Sequence, residues 1–456
     1  MQDEQIVEKG LHTYSNIDYY IPPVEPKVVE HMEWFQDQKL GLMVHWGPYS
    51  QLGIVESWAL SDQDAEWSRN NVDWGVSSKE FKEQYKNLNT TFNPVRFQPD
   101  EWARLAEEGG FKYLIFTTKH HDGFCMWDTQ YSDYKITGQD CPFHKHQYAD
   151  ICEHLFEAFR RRGIGIIPYF SKADWHVASY WASHMERGDF TWRGPSYNPE
   201  ENPELWEEFV QFTHNQLLEL CTKYGKIDGL WFDAGWVCEK SGQDIRIGEI
   251  VDKIRKVQPW LISADRTVGG VYENYITPEQ CIPSEPILVP WESCITMGSS
   301  FSFVYEDDYK STRELVNILL NVIAKGGNLA LNIGPQPDGR LSRVAIKRIK
   351  EIGKWLKKNE KGIYGTRVCS PYLKDNFAFT QKVKENRVYA FKLFKKGEKV
   401  KQNYIIPYTE NVVRGITLLE NGTSLMFKQV ERGVEINIPD EFLEEEIVSI
   451  GFEVEI

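Results

Sequence analysis

The chain has 456 residues, a length that suits one large α/β domain with a smaller appendage. Its 52 basic against 67 acidic residues leave a net charge of −15, which argues against a nucleic-acid or anionic-membrane partner, since either needs a basic face, and favours a neutral substrate. Aromatic residues make up 14%, with 16 tryptophans; because such rings stack on the apolar faces of sugars, this composition leans towards carbohydrate.

No stretch is long and apolar enough to span a bilayer, and Met1 to Gly10 is polar with no signal-peptide core. A leader already removed would leave the same sequence, so export stays open. The eight cysteines (Cys125, Cys141, Cys152, Cys221, Cys238, Cys281, Cys294 and Cys369) show no CxxC pair or metal-ligand spacing and read as mostly reduced and structural.

Residues 1–36 are polar and marked by Pro22, Pro23 and Pro26, the pattern of an arm packed on a main domain. Apolar runs closed by polar or aromatic residues then recur. Leu40 to Val44 ends in His45-Trp46-Gly47, Tyr113 to Thr118 in Lys119-His120-His121-Asp122, and Gly165 to Phe170 in Ser171 to His176. Lys226 to Trp236 carries Asp233 between two tryptophans, and alternation puts Ile227, Gly229, Trp231 and Asp233 on one face with Leu230 and Phe232 on the other. Three more runs follow: Leu261 to Arg266, Ile287 to Glu292, and Asn328 to Pro335.

Helical stretches separate these strands: Asp100 to Glu108 with Asp100 as N-cap, Tyr148 to Arg162, Pro203 to Tyr224, Gln243 to Val257, Tyr309 to Ala324, and Leu341 to Lys358. The acids Glu306, Asp307 and Asp308 fit a solvated helix start. Strands alternating with helices indicate a parallel sheet. Strand ends rich in His, Asp, Glu, Arg and Trp favour an irregular (β/α)₈ (TIM-like) barrel, whose chemistry gathers at the C-terminal ends of its strands; no eighth strand is evident. No glycine-rich nucleotide motif follows any strand. From Ile363 onward, short alternating runs predict an antiparallel β-sandwich. The domains are thus an arm (1–36), a catalytic barrel (37–362) and a C-terminal sandwich (363–456).

The strand ends supply His45, His120, His121, Asp233, Arg266 and Glu292. Two carboxylates flanking a cleft with aromatic walls are what glycoside hydrolysis demands, one attacking or activating water and the other protonating the leaving oxygen. Each residue alone has a plainer reading: a structural histidine, an aspartate capping a helix, an arginine paired with a surface acid. Adjacent histidines also suit a metal, but no carboxylate or cysteine lies at a familiar spacing, so none is expected, nor any cofactor.

The elements Val44 to Ser50, Thr118 to Phe124, Leu230-Trp231-Phe232-Asp233 and Gly326 to Pro335, in that order, resemble those of family 29 α-L-fucosidases, as does Gly362 to Arg367 where the barrel gives way to the sandwich. The resemblance covers about residues 30–370 firmly and the sandwich loosely. It implies an exo-acting, retaining α-L-fucosidase that releases terminal L-fucose from fucosylated oligosaccharides or glycoconjugates through a covalent fucosyl-enzyme ester. Carried over, Asp233 is the nucleophile and Trp231 lines the pocket. His45, His120, His121 and Tyr169 bind sugar hydroxyls, and Arg266 keeps the nucleophile ionised. Glu292, in Trp291-Glu292-Ser293-Cys294-Ile295-Thr296, resembles the family's Trp-Glu-x-Cys-x-Thr element and is the expected acid/base; Glu279 is the alternative.

Three departures bear on selectivity. Glu56-Ser57-Trp58 stands where members have Glu-Trp-Tyr, leaving Glu56 and Trp58 as candidate sugar contacts; Ser300-Phe301-Ser302-Phe303 replaces Ser-Trp-Gly-Tyr; and Tyr169-Phe170-Ser171 replaces Tyr-Tyr-Ser. Two other readings stand beside this one: action on α-L-galactosides, which differ from L-fucosides by a hydroxyl at C6, and a catalytically silent carbohydrate-binding protein. Because fucosides released from polysaccharides are met outside the cytoplasm, a periplasmic or secreted setting is expected. Oligomeric state has no sequence signal.

Overall fold

The computed structural model describes residues 15–62, 64–72, 74–182, 192–443 and 447–456. Seven parallel strands form a curled sheet: β1 (Leu40–Val44), β2 (Tyr113–Lys119), β3 (Gly165–Ser171), β4 (Gly229–Asp233), β5 (Ile262–Asp265), β6 (Glu292–Thr296) and β7 (Asn328–Ile333). Their order is β5-β4-β3-β2-β1-β7-β6. Between the edges β5 and β6 runs an irregular segment held by isolated bridges, Ala264 to Glu273 on one side and Ile276 to Trp291 and Glu279 to Cys294 on the other. It stands in for the eighth strand and brings Glu279 towards the barrel mouth.

Alternation along the strands separates two cores. Trp231 packs inward with Met43, Tyr113, Ile115, Ile167, Tyr169, Ile262 and Ala330, whereas Leu230 and Phe232 face the surrounding helices. The interior of the curled sheet is therefore filled with side chains, as in a parallel barrel core. Helix α1 (Pro26–Gln38) starts with proline at its first turn, where the missing N–H costs nothing, and sends Val28, Met32 and Phe35 into the same interior cluster, closing the end opposite the C-terminal strand ends. The earlier part of the expected arm, residues 1–14, lies outside the described residues.

The outer helices are α2 (Ser78–Lys86), α3 (Pro99–Glu108), α4 (Ile151–Arg160), α5 (Pro203–Lys223), α6 (Ile247–Arg255), α7 (Thr312–Ala324) and α8 (Arg343–Asn359). Two expected starts are corrected. Pro99 occupies the first turn of α3, so Asp100 lies inside the helix and not at its cap. The acids before α7 do not open it: Ser311 does, through a capping box with Glu314, while Asp307 accepts bonds from the backbone and hydroxyl of Ser299. The sixth strand is also shifted. It begins at Glu292, not at Ile287, because Pro290 has no N–H for a ladder and Leu288 is exposed.

Beyond the barrel, β8 (Arg367–Lys374), β9 (Phe377–Lys382), β10 (Arg387–Leu393), β12 (Gly415–Leu418) and β15 (Ser449–Glu455) form one antiparallel sheet in the order β12-β15-β10-β9-β8. A second sheet holds β11 (Asn403–Ile406), β14 (Gly433–Asn437) and β13 (Phe427–Val430). Phe379, Val388, Ile406, Leu418, Ile436 and Phe452 form their shared core. All eight cysteines are free thiols. Among the described residues, no helix is long and apolar enough to cross a membrane.

Candidate active site

Asp233 closes β4, and the chain turns at once: Ala234 takes a positive φ of 67°. Gly235 then passes so close to the next loop that a Cβ would lie 2.7 Å from the Arg266 carbonyl. Arg266, just past β5, reaches back over this turn. Its Nη1 donates to Asp233 Oδ1 at 2.8 Å, its Nη2 to Glu279 Oε2 at 2.6 Å, and its Nε to Thr277 Oγ1 at 3.0 Å. One guanidinium thus bridges two carboxylates, both partly exposed, while it is itself nearly buried. The Tyr169 hydroxyl donates to the other oxygen of Asp233, and His121 Nε2 lies 3.7 Å from it. Burial alone pushes the Asp233 carboxyl up, but Arg266, then His121 and the Tyr169 hydroxyl, hold it well below the usual carboxylate range.

Three histidines form the facing wall, all at the C-terminal ends of β1 and β2. The His45 and His120 ring centroids are 5.9 Å apart and those of His120 and His121 4.2 Å, with Tyr169 stacked parallel to His120. Their tautomers follow from their supports. Asn332 donates its amide to the Phe301 carbonyl, so its oxygen at 2.7 Å accepts from His45 Nδ1–H. Ser171 donates to the Ala173 carbonyl, so its oxygen likewise accepts from His121 Nδ1–H at 2.7 Å. His120 Nδ1 is 2.5 Å from the Ser57 hydroxyl. Burial lowers His45 to about 4 and holds His120 well below its ordinary value, so both are neutral near pH 7, and His45 keeps Nε2 as an acceptor for a hydroxyl.

Two candidates from the loop after β1 join this wall. Trp58 meets the His121 ring edge-on at 4.7 Å. Glu56, at a strained positive φ of 23°, is held by reciprocal bonds: Ser302 N–H donates to its carboxylate at 2.7 Å, and its own N–H donates to Ser302 Oγ at 3.3 Å. Burial raises its carboxyl to about 7 against the pull of Ser302. Phe301 lies over His45 at 4.9 Å, so the first altered wall residue does reach the site. Phe170 does not: it faces the outer core, and the hydroxyl missing there is not missing from the pocket.

The structure brings together His45, Glu56, Trp58, His120, His121, Tyr169, Asp233, Arg266 and Glu279. It does not bring Glu292 among them. Glu292 opens β6 opposite Asn328, fully buried at the closed end, where it accepts from Trp231 Nε1 at 3.2 Å and from the Tyr113 hydroxyl. Its place is corrected accordingly, and Glu279 occupies the mouth instead. Trp231 itself is buried beneath Arg266, the guanidinium carbon 4.2 Å from a ring centroid, so it floors the site from within the barrel.

Sequence reasoning missed the supports Asn332, Ser171, Ser57, Thr277 and Ser302. Asn332 alone had a signal, as a polar residue inside an apolar strand. His120, His121 and Asp233 offer ligand atoms within 4.8 Å of one another, the spacing of a metal site. Each already has protein partners, and Arg266 supplies the positive charge next to Asp233, so the trio suits hydroxyl groups.

A family model described as alpha-L-fucosidase matches residues 12–361. The chain is 26% identical over 436 residues to an alpha-L-fucosidase of Dictyostelium discoideum, covering 90% of this chain and 86% of that protein. It is 27% identical over 379 residues to the human plasma alpha-L-fucosidase, covering 78% and 75%. Among solved structures, alpha-L-fucosidase isoenzyme 1 from Paenibacillus thiaminolyticus superposes with a TM-score of 0.75 at 27% identity, covering 94% of this chain and 99% of that one. The Thermotoga maritima alpha-fucosidase in complex with fucose superposes with a TM-score of 0.74 at 27% identity, covering 95% and 100%.

Proposed function

The chain belongs to the family 29 α-L-fucosidases, glycoside hydrolases of fucosylated glycans, and on that premise we propose that it cleaves by double displacement with Asp233 as nucleophile and Glu279 as acid/base. The bridge from Arg266 to both carboxylates is the observation that carries this reading. It supports a close pair, of the kind retaining enzymes hold at about 5–5.5 Å, over the wider spacing of about 6.5–9.5 Å that inverting enzymes use to admit water.

In the first step the Asp233 carboxylate, ionised by Arg266, attacks the anomeric carbon. Glu279, as general acid, delivers a proton to the departing glycosidic oxygen. In the second step Glu279, now a carboxylate, takes a proton from water, which attacks the ester and frees fucose with retained configuration. His45, His120 and His121 position the ring hydroxyls, Glu56 accepts from a further hydroxyl, and Trp58 shields the wall. Trp231 supports the site from below. Trp58 edge-on to His121 and Phe301 beside His45 place aromatic rings on this wall. NMR of the first product released from an aryl α-L-fucoside tests this: the α anomer is expected first, and first-formed β anomer contradicts a double displacement. We further propose a periplasmic or secreted setting, where glycan-derived fucosides are met.

A second reading keeps the machinery and changes the sugar. Phe301 beside His45 stands where members of the family often have tryptophan, so this wall would set how much room a C6 hydroxyl finds, and α-L-galactosides are the competing substrates.

A further inference from the structure

We infer that Glu292 is a positioning residue: by holding the Trp231 indole it fixes the surface on which Arg266 rests, and so the placement of Asp233 and Glu279. This rests on the reading above that those two carboxylates carry the chemistry.

Glu292 is fully buried at the start of β6, on the closed side of Trp231. Its two oxygens accept from two different strands, Oε1 from the Trp231 indole N–H on β4 and Oε2 from the Tyr113 hydroxyl on β2. Neither leads to the surface. What the carboxylate orients, however, touches both groups that hold Asp233. The Trp231 ring stacks on Tyr169 at 5.2 Å with an interplanar angle of 23°, and Tyr169 donates to Asp233. The Arg266 guanidinium lies against the same ring, and it donates to Asp233 and Glu279. One indole is thus shared by both supports, and its N–H is tied to one acceptor.

A carboxyl in an apolar layer stabilises a fold less than an apolar side chain of the same volume would. Burial pushes this one up to about 7, against the two bonds it accepts and the charge of Arg266. Its contribution therefore lies in orientation. A planar indole in a parallel stack can slide or tilt with little loss of contact area, whereas an N–H bonded to a fixed carboxylate cannot. Displacing a reacting group by about 1 Å costs about a hundredfold in rate.

The test is a double-mutant cycle on the full chain, with aryl α-L-fucosides of good and poor leaving groups. Glu292→Leu removes the acceptor, Glu292→Gln keeps one, and Trp231→Phe keeps a ring but removes the indole N–H. Glu292→Leu is expected to lose about a hundredfold in kcat with little change in KM, by the same factor for both leaving groups and without azide rescue. Glu292→Gln should stay within about tenfold of the parent, because its amide oxygen accepts from the indole while its NH2 donates to Tyr113. In the Trp231→Phe background, Glu292→Leu should cost no more than about twofold, as expected for a residue acting through that indole.

An undiminished loss in that background overturns the inference, as does full kcat in folded Glu292→Leu. A leaving-group-dependent loss, or azide rescue, would make Glu292 a proton donor and overturn it too. Should Glu292→Leu fail to fold, Glu292→Gln decides: folded with native melting temperature but slowed a hundredfold or more, it contradicts a role met by hydrogen bonding. Failure of azide rescue in Asp233→Gly would strike the underlying reading and leave the Glu292–Trp231 coupling intact.

Discussion

Nη1 of Arg266 lies 2.8 Å from Oδ1 of Asp233, and this contact is the largest force keeping that carboxyl ionised against burial. Its folded value is depressed, so the carboxylate persists to low pH and protonates only below the ordinary range. In Arg266→Met the burial penalty loses its largest offset, and the acid limb of the kcat/KM profile is expected to move up by about 1–3 pH units. An unmoved limb in a folded variant contradicts the assignment.

Glu279 shares the same guanidinium and, as the proposed acid/base, would protonate the leaving oxygen. Glu279→Ala should slow natural fucosides and poor aryl leaving groups by about 100-fold or more, and should slow a good leaving group in the first step far less. Uniform loss across leaving groups would assign Glu279 to holding Arg266 alone.

Glu56 couples the site to stability. Its folded value is about 7 against an ordinary 4.5, because burial disfavours its charge. The folded state thus holds a proton that the unfolded state releases. This contribution is fully present below about pH 4.5 and is lost as pH rises through about 7. Glu56→Gln should therefore flatten the fall of melting temperature between these values. His45 works with the opposite sign, stability being lost as pH falls from 6.5 towards 4, and it is common to both proteins. A slope as steep in the variant as in the parent contradicts burial of Glu56.

Phe301 stands 4.9 Å from His45, a proposed sugar contact, and a smaller residue there opens space on that wall. Phe301→Ala is expected to raise the ratio of kcat/KM for aryl α-L-galactoside over aryl α-L-fucoside by about tenfold, the scale on which an apolar wall discriminates one hydroxyl. An unchanged ratio would place selectivity elsewhere.

The barrel and the ends of its first four strands were legible because alternation and a terminal polar residue are local signals. Trp231 and Asp233 fall on one face by counting alone, and His45, His120 and His121 each follow an apolar run directly. The position proposed for the acid/base was not legible in the same way. Ile287 to Glu292 reads as a strand ending in a carboxylate, yet Pro290 denies it a ladder, the strand starts at Glu292, and the residue lands at the closed end. Glu279 arrives on a segment with isolated bridges and no periodicity, so only the fold shows that it meets Arg266. Ser57, Ser171, Thr277 and Ser302 act through single hydrogen bonds across long sequence separations, which no spacing pattern records.

The central claim is that Asp233 forms the covalent ester, and the most direct measurement is azide rescue of Asp233→Gly on an aryl α-L-fucoside. Removing the carboxylate should lower turnover by about 10³-fold or more, and azide, filling the vacated space as an external nucleophile, should restore it with fucosyl azide of inverted configuration as the product. Near-parental activity without azide, or no fucosyl azide from a correctly folded variant, would contradict the assignment.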